Sequence, residues 1–240
     1  MPWRACPRQI EAAAHRAGLA RAAPRALTVA MRITKHEHAC LRLELEDRVV
    51  VIDPGSFTLP LEDIHGLVAV VITHEHPDHW TPEHLARIRK RYPDVPVYGT
   101  AGTAAAGDDI ITVAPGDTVT AGPFTMTFHG GTHNVIHESI PTIANVGVLV
   151  NDDFYYPGDS YAVPKDADIR MLAAPIGAPW LKIGEAMDFV LAAKPHRAFG
   201  THDMTLSRIG LDMHRARLKW ATEQHGGEFV VLEPGQSVEV

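Results

Sequence analysis

Three histidines and an aspartate lie within six consecutive positions of the segment VITHEHPDHW, residues 71–80. The apolar run that ends at Ile72 is typical of a buried strand, so the polar cluster begins almost directly where the strand ends. A folded core has no use for four polar side chains at this density, because each buried imidazole or carboxylate needs a partner. We therefore interpret four residues as metal ligands: His74, His76, Asp78 and His79.

The spacing within the segment divides these four side chains between two metal ions. Alternate side chains of an extended segment project to the same side, so His74 and His76 can converge on one ion. Asp78 and His79 follow where the chain turns into the next predicted helix, which lets them face a second ion beside the first. Imidazole and carboxylate ligands without thiolate suit zinc, manganese or iron. The local pattern thus predicts two adjacent metal ions.

From Met31 onward, predicted strands come first and then alternate with predicted helices. The segments CLRLELE and RVVVIDPG predict a hairpin around a Glu-Asp turn. Thr81 is the predicted cap of a helix with Pro82 at its first position, and Leu85, Ile88 and Tyr92 form its apolar face. Later in the chain, IGEAMDFVLAAKP and residues 207–224 predict two further helices. Strand pairs sandwiched between helices are therefore expected.

Composition excludes several classes of function. A chain of 240 residues with 45% hydrophobic content suits one large domain or two closely packed ones. The formal net charge of −7 provides no attraction toward nucleic acid or anionic lipid, and no apolar stretch approaches the span of a membrane helix. The two cysteines are too few for a disulfide framework or a cysteine metal site, which predicts a reducing, cytoplasmic location. A small-molecule substrate is expected.

The first thirty residues differ from the rest of the chain. They are rich in Ala and Arg, poor in acidic residues, and without the apolar centre of a secretory signal, although they could pass for an organellar transit peptide. We expect residues 1–30 to be a flexible extension and residues 31–240 to form the folded domain. A chain beginning at Met31 should therefore keep its fold and its turnover.

The segment THEHPDHW resembles the HxHxDH signature of the metallo-β-lactamase superfamily. The similarity extends in order over about 200 residues, through the segments VVIDPG, GTHNVIHESIP, YYPGDS and FGTHDM. The resemblance implies an α+β, four-layer αββα sandwich, the metallo-β-lactamase fold, with a metal site on loops at one edge where the two sheets meet. Within the superfamily, the chain is most similar to the lactonase-like and phosphodiesterase-like branch.

The resemblance also implies the ligands of the first ion. This ion takes His74, His76 and a histidine that follows a glycine-rich turn. The segment FHGGTHNVIHES offers His129, His133 and His137, and His133 is at the position that matches the family's histidine. His129 and His137 remain the alternatives.

For the second ion, the resemblance implies Asp78, His79 and His202 as ligands. Asp159, in the segment YYPGDS, is expected to bridge the two ions, because a carboxylate can offer one oxygen to each. Aspartate after glycine is otherwise an ordinary turn residue, and that interpretation stays open.

Three further residues have two interpretations each, and a fourth has one candidate role. Asp53 either supports the metal loops or belongs to an ordinary Asp-Pro-Gly turn, and His38 either lies near the site or on a surface strand. Trp180 either walls the pocket or simply packs, and Lys182 is a candidate for neutralising an anionic substrate.

The predicted function is that of a metal-dependent hydrolase with two zinc ions, manganese or iron being alternatives, and without an organic cofactor. Metal-activated water would cleave an ester, lactone, amide or phosphodiester bond, and either Asp78 or Asp159 would orient the water and accept its proton. One alternative is a di-iron redox protein on the same fold, which would need an electron carrier. Another is a non-catalytic binding protein, which a degraded ligand set would favour.

Overall fold

Two seven-stranded sheets stack face to face between outer helices in the computed structural model of the protein, which describes residues 30–240. The first sheet contains β1 (Arg32–Lys35), β2 (Leu41–Leu45), β3 (Arg48–Ile52), β4 (Leu67–Ile72), β5 (Val97–Gly99), β6 (Ile110–Thr112) and β14 (Ser237–Glu239). The second contains β7 (Thr118–Ala121), β8 (Phe124–Gly130), β9 (Val146–Val150), β10 (Phe154–Tyr156), β11 (Met171–Pro175), β12 (Arg197–Thr201) and β13 (Glu228–Phe229). The helices are α1 (Pro82–Arg91), α2 (Ala101–Ala106), α3 (Ile183–Ala193) and α4 (Arg208–Glu223). The N-terminal extension predicted for residues 1–30 lies outside the described residues, apart from Ala30.

The two sheets repeat one topology. Their strand orders are β14-β1-β2-β3-β4-β5-β6 and β7-β8-β9-β10-β11-β12-β13. Along each order, three antiparallel pairings precede three parallel ones. The edge strands β7 and β14 each follow a Pro-Gly turn, in which Gly116 and Gly235 adopt positive φ angles of 95° and 83°. The halves of the chain therefore share an architecture as well as this short sequence pattern.

The predicted hairpin and first helix are confirmed, and local chemistry explains both. Glu46 and Asp47, between β2 and β3, have positive φ angles of 51° and 60°, as a tight two-residue hairpin turn requires. At the start of α1, the side chain of Thr81 accepts a hydrogen bond from the His84 amide. Tyr92 ends the helix and packs, as predicted, against the apolar layer that holds the helix's buried face, and its hydroxyl donates to the Ile64 carbonyl.

Helix α2 was not predicted from the sequence. Its six residues, AGTAAA, span less than two turns, which is too short for a 3.6-residue hydrophobic period to emerge. Thr100 caps it by accepting a hydrogen bond from the Thr103 amide at 3.2 Å. A cap without a periodic segment behind it is a weak signal in sequence.

Three apolar layers hold the sandwich together. The central layer, between the sheets, includes Val50, Val71, Phe128 and Val148. The layer outside the first sheet packs α1 against it and includes Val51, Val70, Leu85 and Ile88. The layer outside the second sheet packs α3 and α4 against it and includes Leu172, Ala174, Phe189 and Leu218. The predicted four-layer αββα sandwich is therefore confirmed.

Parallel pairing decides where the polar loops meet. Strands β3 and β4 run parallel, as do β10, β11 and β12, so the carboxyl ends of the strands in each group lie at the same edge of their sheet. The chain leaves β4, β10 and β12 at that edge directly into the segments that contain the predicted ligands. Between residues 30 and 240, none of the helices combines the length and apolar character that a membrane span requires.

Candidate metal centre

The side chains predicted as metal ligands converge at the loops that follow β4, β8, β10 and β12. Three groups of their nitrogen and oxygen atoms are compact enough to hold an ion, each with all its atoms within 4.8 Å of one another. The groups are His74, His76 and His133; His38, Asp78 and His202; and His74, His79 and Asp159. All seven predicted ligands belong to these groups, and His38 joins them.

The first group is a cluster of imidazoles. The Nε2 atom of His74 lies 3.1 Å from Nδ1 of His76, and the ring of His133 is 4.9 and 4.8 Å from their rings, centroid to centroid. Burial lowers the pKa of His74 well below its ordinary value, and it also lowers the pKa of His76. These two imidazoles are therefore neutral at neutral pH, with lone pairs available to a metal ion.

Asp159 lies at the centre of the site. Its side chain is only 4% exposed, and its oxygens lie 3.1, 3.4 and 3.3 Å from the Nε2 atoms of His79, His133 and His202. Four buried atoms here have no hydrogen-bond partner among residues 30–240: Nε2 of His79, His133 and His202, and Oδ1 of Asp159. Leaving buried polar atoms without hydrogen bonds is costly, and bound metal cations would satisfy all four. The residues present thus fit a bound metal ion.

Hydrogen bonds on the far side of two rings fix which nitrogen faces the site. Nδ1 of His202 donates to the Gly177 carbonyl, and Nδ1 of His133 donates to the Asn134 carbonyl, both at 2.5 Å. A carbonyl oxygen only accepts, so the proton must be on Nδ1 in both histidines. The lone pair of each Nε2 atom is consequently directed into the site beside Asp159. Hydrogen bonds to the other ring nitrogen orient metal-binding histidines in the same way.

Asp53 supports the loop after β4. It is completely buried, has a φ of 49°, and accepts hydrogen bonds from the amide and hydroxyl of Thr73 at 2.8 and 2.7 Å. Its Oδ2 also accepts from Nδ1 of His79 at 2.7 Å. Of the two interpretations left open by the sequence, the geometry therefore favours support of the site over an ordinary turn.

His38 ties two of the site's loops together. It is completely buried, and its Nδ1 accepts a hydrogen bond from the Met204 amide at 3.2 Å. The proton of the neutral ring is therefore on Nε2, which donates to Oδ2 of Asp78 at 3.1 Å. The His38 carbonyl accepts from the His202 amide at 2.8 Å. The surface-strand interpretation of His38 is wrong.

Asp159 is held rigidly by its neighbours. The indole of Trp180 donates to its Oδ2 at 2.7 Å, a contact that neither sequence interpretation of Trp180 included. The Asn145 side chain accepts from the Asp159 amide at 2.9 Å and donates to the Pro157 carbonyl at 2.8 Å. Gly158 has a φ of 62°, and a Cβ atom there would lie 2.4 Å from the Asn145 amide oxygen. Only glycine permits this approach.

The electrostatics of the site favour positive charge. Burial acts to lower the pKa of His79, but the carboxylates of Asp159 and Asp53 raise it well above its ordinary value. Burial likewise opposes protonation of His202, yet Asp159 and Asp78 raise its pKa to about 9. Although burial acts to raise the pKa of Asp159, His202 and His79 hold it well below its usual range. Carboxylates that stabilise a proton at these nitrogens also stabilise a metal cation, whose binding releases that proton.

A family model for the β-lactamase superfamily domain matches residues 32–202, a segment that contains all eight converging side chains and ends at His202. The chain belongs to the metallo-β-lactamase superfamily. It is 35% identical over 214 residues to protein Rv0786c of Mycobacterium tuberculosis, covering 87% of this chain and 99% of that protein.

Several solved structures share the fold of this chain. Igni18, described as a novel metallo hydrolase from the archaeon Ignicoccus hospitalis, is similar with a TM-score of 0.68 at 18% identity, covering 88% of this chain and 98% of Igni18. CmlA, a diiron β-hydroxylase from Streptomyces venezuelae, is similar with a TM-score of 0.63 at 14% identity, covering 88% of this chain and 54% of CmlA. At these identities the likeness concerns the fold alone.

Within this superfamily fold, the two alternative histidines of the glycine-rich segment lie apart from the metal centre. His137 is exposed, and its Nδ1 is 2.8 Å from the Ser139 hydroxyl. His129 is on β8, with its ring centroid 6.2 Å from that of Tyr155. Neither belongs to a group that could hold an ion, whereas His133 does. The geometry thus favours His133 among the three candidates.

A buried ion pair lies immediately beside His202. The Lys35 side chain is completely buried, and its Nζ lies 3.0 Å from Oδ2 of Asp203. Changing Asp203→Leu should lower the free energy of unfolding by about 3–5 kcal/mol, because it leaves a buried ammonium without its counter-charge. Urea denaturation monitored by circular dichroism measures this loss.

The matched control is the double variant Lys35→Met/Asp203→Leu. It removes both charges together, so most of the lost stability should return. A single Asp203→Leu variant as stable as the unmodified protein would contradict the prediction.

Proposed function

We propose that this protein is a hydrolase with two zinc ions that cleaves an ester, lactone, amide or phosphodiester bond of a small molecule. The observation that carries the proposal is the set of four buried, unpartnered nitrogen and oxygen atoms around Asp159, among residues 30–240. Such a set is costly without cations and is satisfied by the two that we propose. The names of similar proteins, among them the metallo hydrolase Igni18, support the same activity.

The first ion would be held by His74, His76 and His133, with one oxygen of Asp159. This assignment is supported by the compact group that the three imidazoles form and by the 3.4 Å separation between Nε2 of His133 and Oδ2 of Asp159. Three histidines and one carboxylate complete a four-coordinate zinc site.

The second ion would be held by Asp78, His79 and His202, with the other oxygen of Asp159. His38 is closer to Asp78 than His79 is, at 3.1 against 4.0 Å, but the His38 nitrogen carries a proton there and has no lone pair to offer. His79 is 3.1 Å from Oδ1 of Asp159 and is therefore the better ligand. His38 instead orients Asp78 from outside the metal shell.

The two carboxylates, Asp78 and Asp159, would have different roles in catalysis. When bound, the metal ions lower the pKa of a coordinated water and polarise the scissile bond. The Asp78 side chain is 26% exposed, whereas that of Asp159 is 4% exposed and accepts a hydrogen bond from Trp180. Contacts with His202 and His38 overcome the effect of burial and hold the pKa of Asp78 well below its usual range. Asp78 is thus the ionised, accessible carboxylate that can accept a hydrogen bond from the attacking water and orient it.

A cavity of about 710 Å³ beside the metal centre supports a small-molecule substrate. Trp180 belongs to its wall as well as to the site, and Asn134, which directly follows His133, also lines it. Lys182 and the two carboxylates Glu185 and Asp188 also line the cavity. This mixture of charges does not favour a polyanion such as nucleic acid.

We also propose that residues 31–240 form the whole catalytic domain and that it operates in the cytoplasm. The described residues contain every proposed ligand, and their one cysteine, Cys40, is a buried free thiol. Proteins of reducing compartments characteristically leave cysteines unpaired.

Metal analysis tests the proposed function directly. Protein purified without added metal should contain about two transition-metal ions per chain, and a screen of lactones, aryl esters, a β-lactam and phosphodiesters should find hydrolysis. Exhaustive chelation should abolish that hydrolysis, and added zinc should restore it. Activity that survives complete metal removal would contradict the proposal, and iron with oxygen-dependent activity but no hydrolysis would favour the redox alternative.

A further inference from the structure

Helix α4 has two apolar faces. Leu211, Leu218 and Ala221 are buried and pack it onto the rest of the domain. A second set of side chains is exposed to solvent: Ile209 at 76%, Met213 at 62% and Trp220 at 48%, with Ala216 also exposed. We call Ile209, Met213, Ala216 and Trp220 the exposed stripe.

The exposed stripe has the geometry of a helix-pairing seam. Its members are spaced by four, three and four residues, which is the hydrophobic repeat of a coiled coil. At 3.6 residues per turn, the stripe lies roughly 180° around the helix from the buried face. The outward face of a surface helix is ordinarily polar, and no residue between 30 and 240 covers this one.

We propose that the exposed stripe is the contact between two copies of this chain, with their α4 helices packed antiparallel about a two-fold axis. In this arrangement Met213 of each copy faces Ala216 of the other, and Ile209 faces Trp220. Every layer then pairs a larger side chain with a smaller one. A parallel pair would instead set Trp220 against Trp220 and Ala216 against Ala216, which leaves one layer overfilled and another empty.

Charges beside the stripe agree with the antiparallel arrangement. Asp212 and Lys219 are seven residues apart and therefore lie on the same flank of the stripe. In an antiparallel pair, this flank of one helix lies beside the same flank of the other helix. Asp212 of each copy therefore faces Lys219 of the other. The symmetry generates two such ion pairs. Among residues 30–240, the only ion pairs of Asp212 and Lys219 are with neighbours on the same helix, Arg208 and Glu223 respectively.

The expected dimer is weak and depends on protein concentration. A single pair of four-turn helices buries an area at the low end of specific interfaces, which begin at roughly 1,000 Å². Sedimentation velocity of the full 240-residue chain over a wide concentration range should therefore show a monomer–dimer equilibrium. Met213→Glu and Trp220→Glu should each abolish the dimer, because a charge would be buried without a partner.

One control tests the location of the contact, and a set of charge exchanges tests its antiparallel register. Ile111→Glu alters a similarly exposed apolar side chain on β6, in the first sheet, whereas α4 packs on the second sheet. It should leave the dimer unchanged. Asp212→Lys and Lys219→Asp should each weaken dimerisation about tenfold or more, since each replaces two attractive contacts with two repulsive ones. The double variant should restore it.

Each remaining outcome would overturn the proposal. One is a full chain that stays monomeric at every concentration, including the case in which residues 1–29 cover the stripe. Another is a dimer that survives both glutamate substitutions while circular dichroism reports an intact fold. A third is the absence of rescue by the double charge swap, which would exclude the antiparallel register.

Discussion

Replacing Asp159 by alanine is expected to lower the metal content, chiefly at the Asp78, His79 and His202 position, and to reduce turnover by about 100-fold or more. The carboxylate is buried among three histidines whose Nε2 atoms lie within 3.4 Å of its oxygens. It is the group able to offset the mutual repulsion of two neighbouring cations, and alanine provides no charge for this. Elemental analysis and steady-state kinetics on a substrate from the screen measure both effects.

A matched control separates this effect from a general loss of charge. Asp168→Ala removes a carboxylate that is 82% exposed and pairs with His196 away from the metal centre, so metal content and turnover should not change. Asp159→Asn keeps the shape of the side chain and guards against a collapse of the loop. If folded Asp159 variants retained full metal content and near-normal hydrolysis, the bridging role would be wrong.

His133→Ala is expected to remove the first ion and to lower turnover by about 100-fold, whereas His137→Ala should have at most a mild effect. The two histidines lie four residues apart in the same segment, so they form a natural pair of variants. His133 is 3% exposed and shares a compact group with His74 and His76, while His137 is exposed and contacts Ser139. Metal content per chain, measured beside kcat/KM, distinguishes them.

The reverse result has a clear meaning. If His137→Ala stripped the metal while His133→Ala did not, the loop after β8 would have to rearrange on metal binding. The hydrogen bonds that hold His133 in place, from its amide to the Ile143 carbonyl and from its ring to the Asn134 carbonyl, argue against such a rearrangement.

Local patterns were enough to predict most of the architecture. Alternation and apolar runs predicted the β2–β3 hairpin and strand β4, a capped 3.6-residue period predicted α1, and α3 and α4 were predicted without a cap. These signals lie within a few residues of one another, so they can be recognised without knowledge of the fold. Helix α2 escaped because its six residues are shorter than the signal that would reveal it.

The sequence alone brought together His74, His76, Asp78 and His79, because their spacing at the end of one strand is a local property. His133, Asp159 and His202 were chosen through resemblance to a family, and the fold then brought them to the same point. The roles of His38, Asp53 and Trp180 could not be decided from sequence. Each contacts a partner between 20 and 164 residues away, and such pairs leave no periodicity in the chain.

Tertiary structure also decided which hydrophobic residues stay outside. In sequence, the exposed stripe of α4 cannot be told from the helix's buried face, since both repeat at helical spacing. Packing of α4 onto the second sheet selected Leu211 and Leu218 for the interior and left Met213 and Trp220 in solvent. The spacing of apolar residues identifies the apolar faces of a helix, but it does not say which face points toward the core. Only the packing of the folded domain determines that.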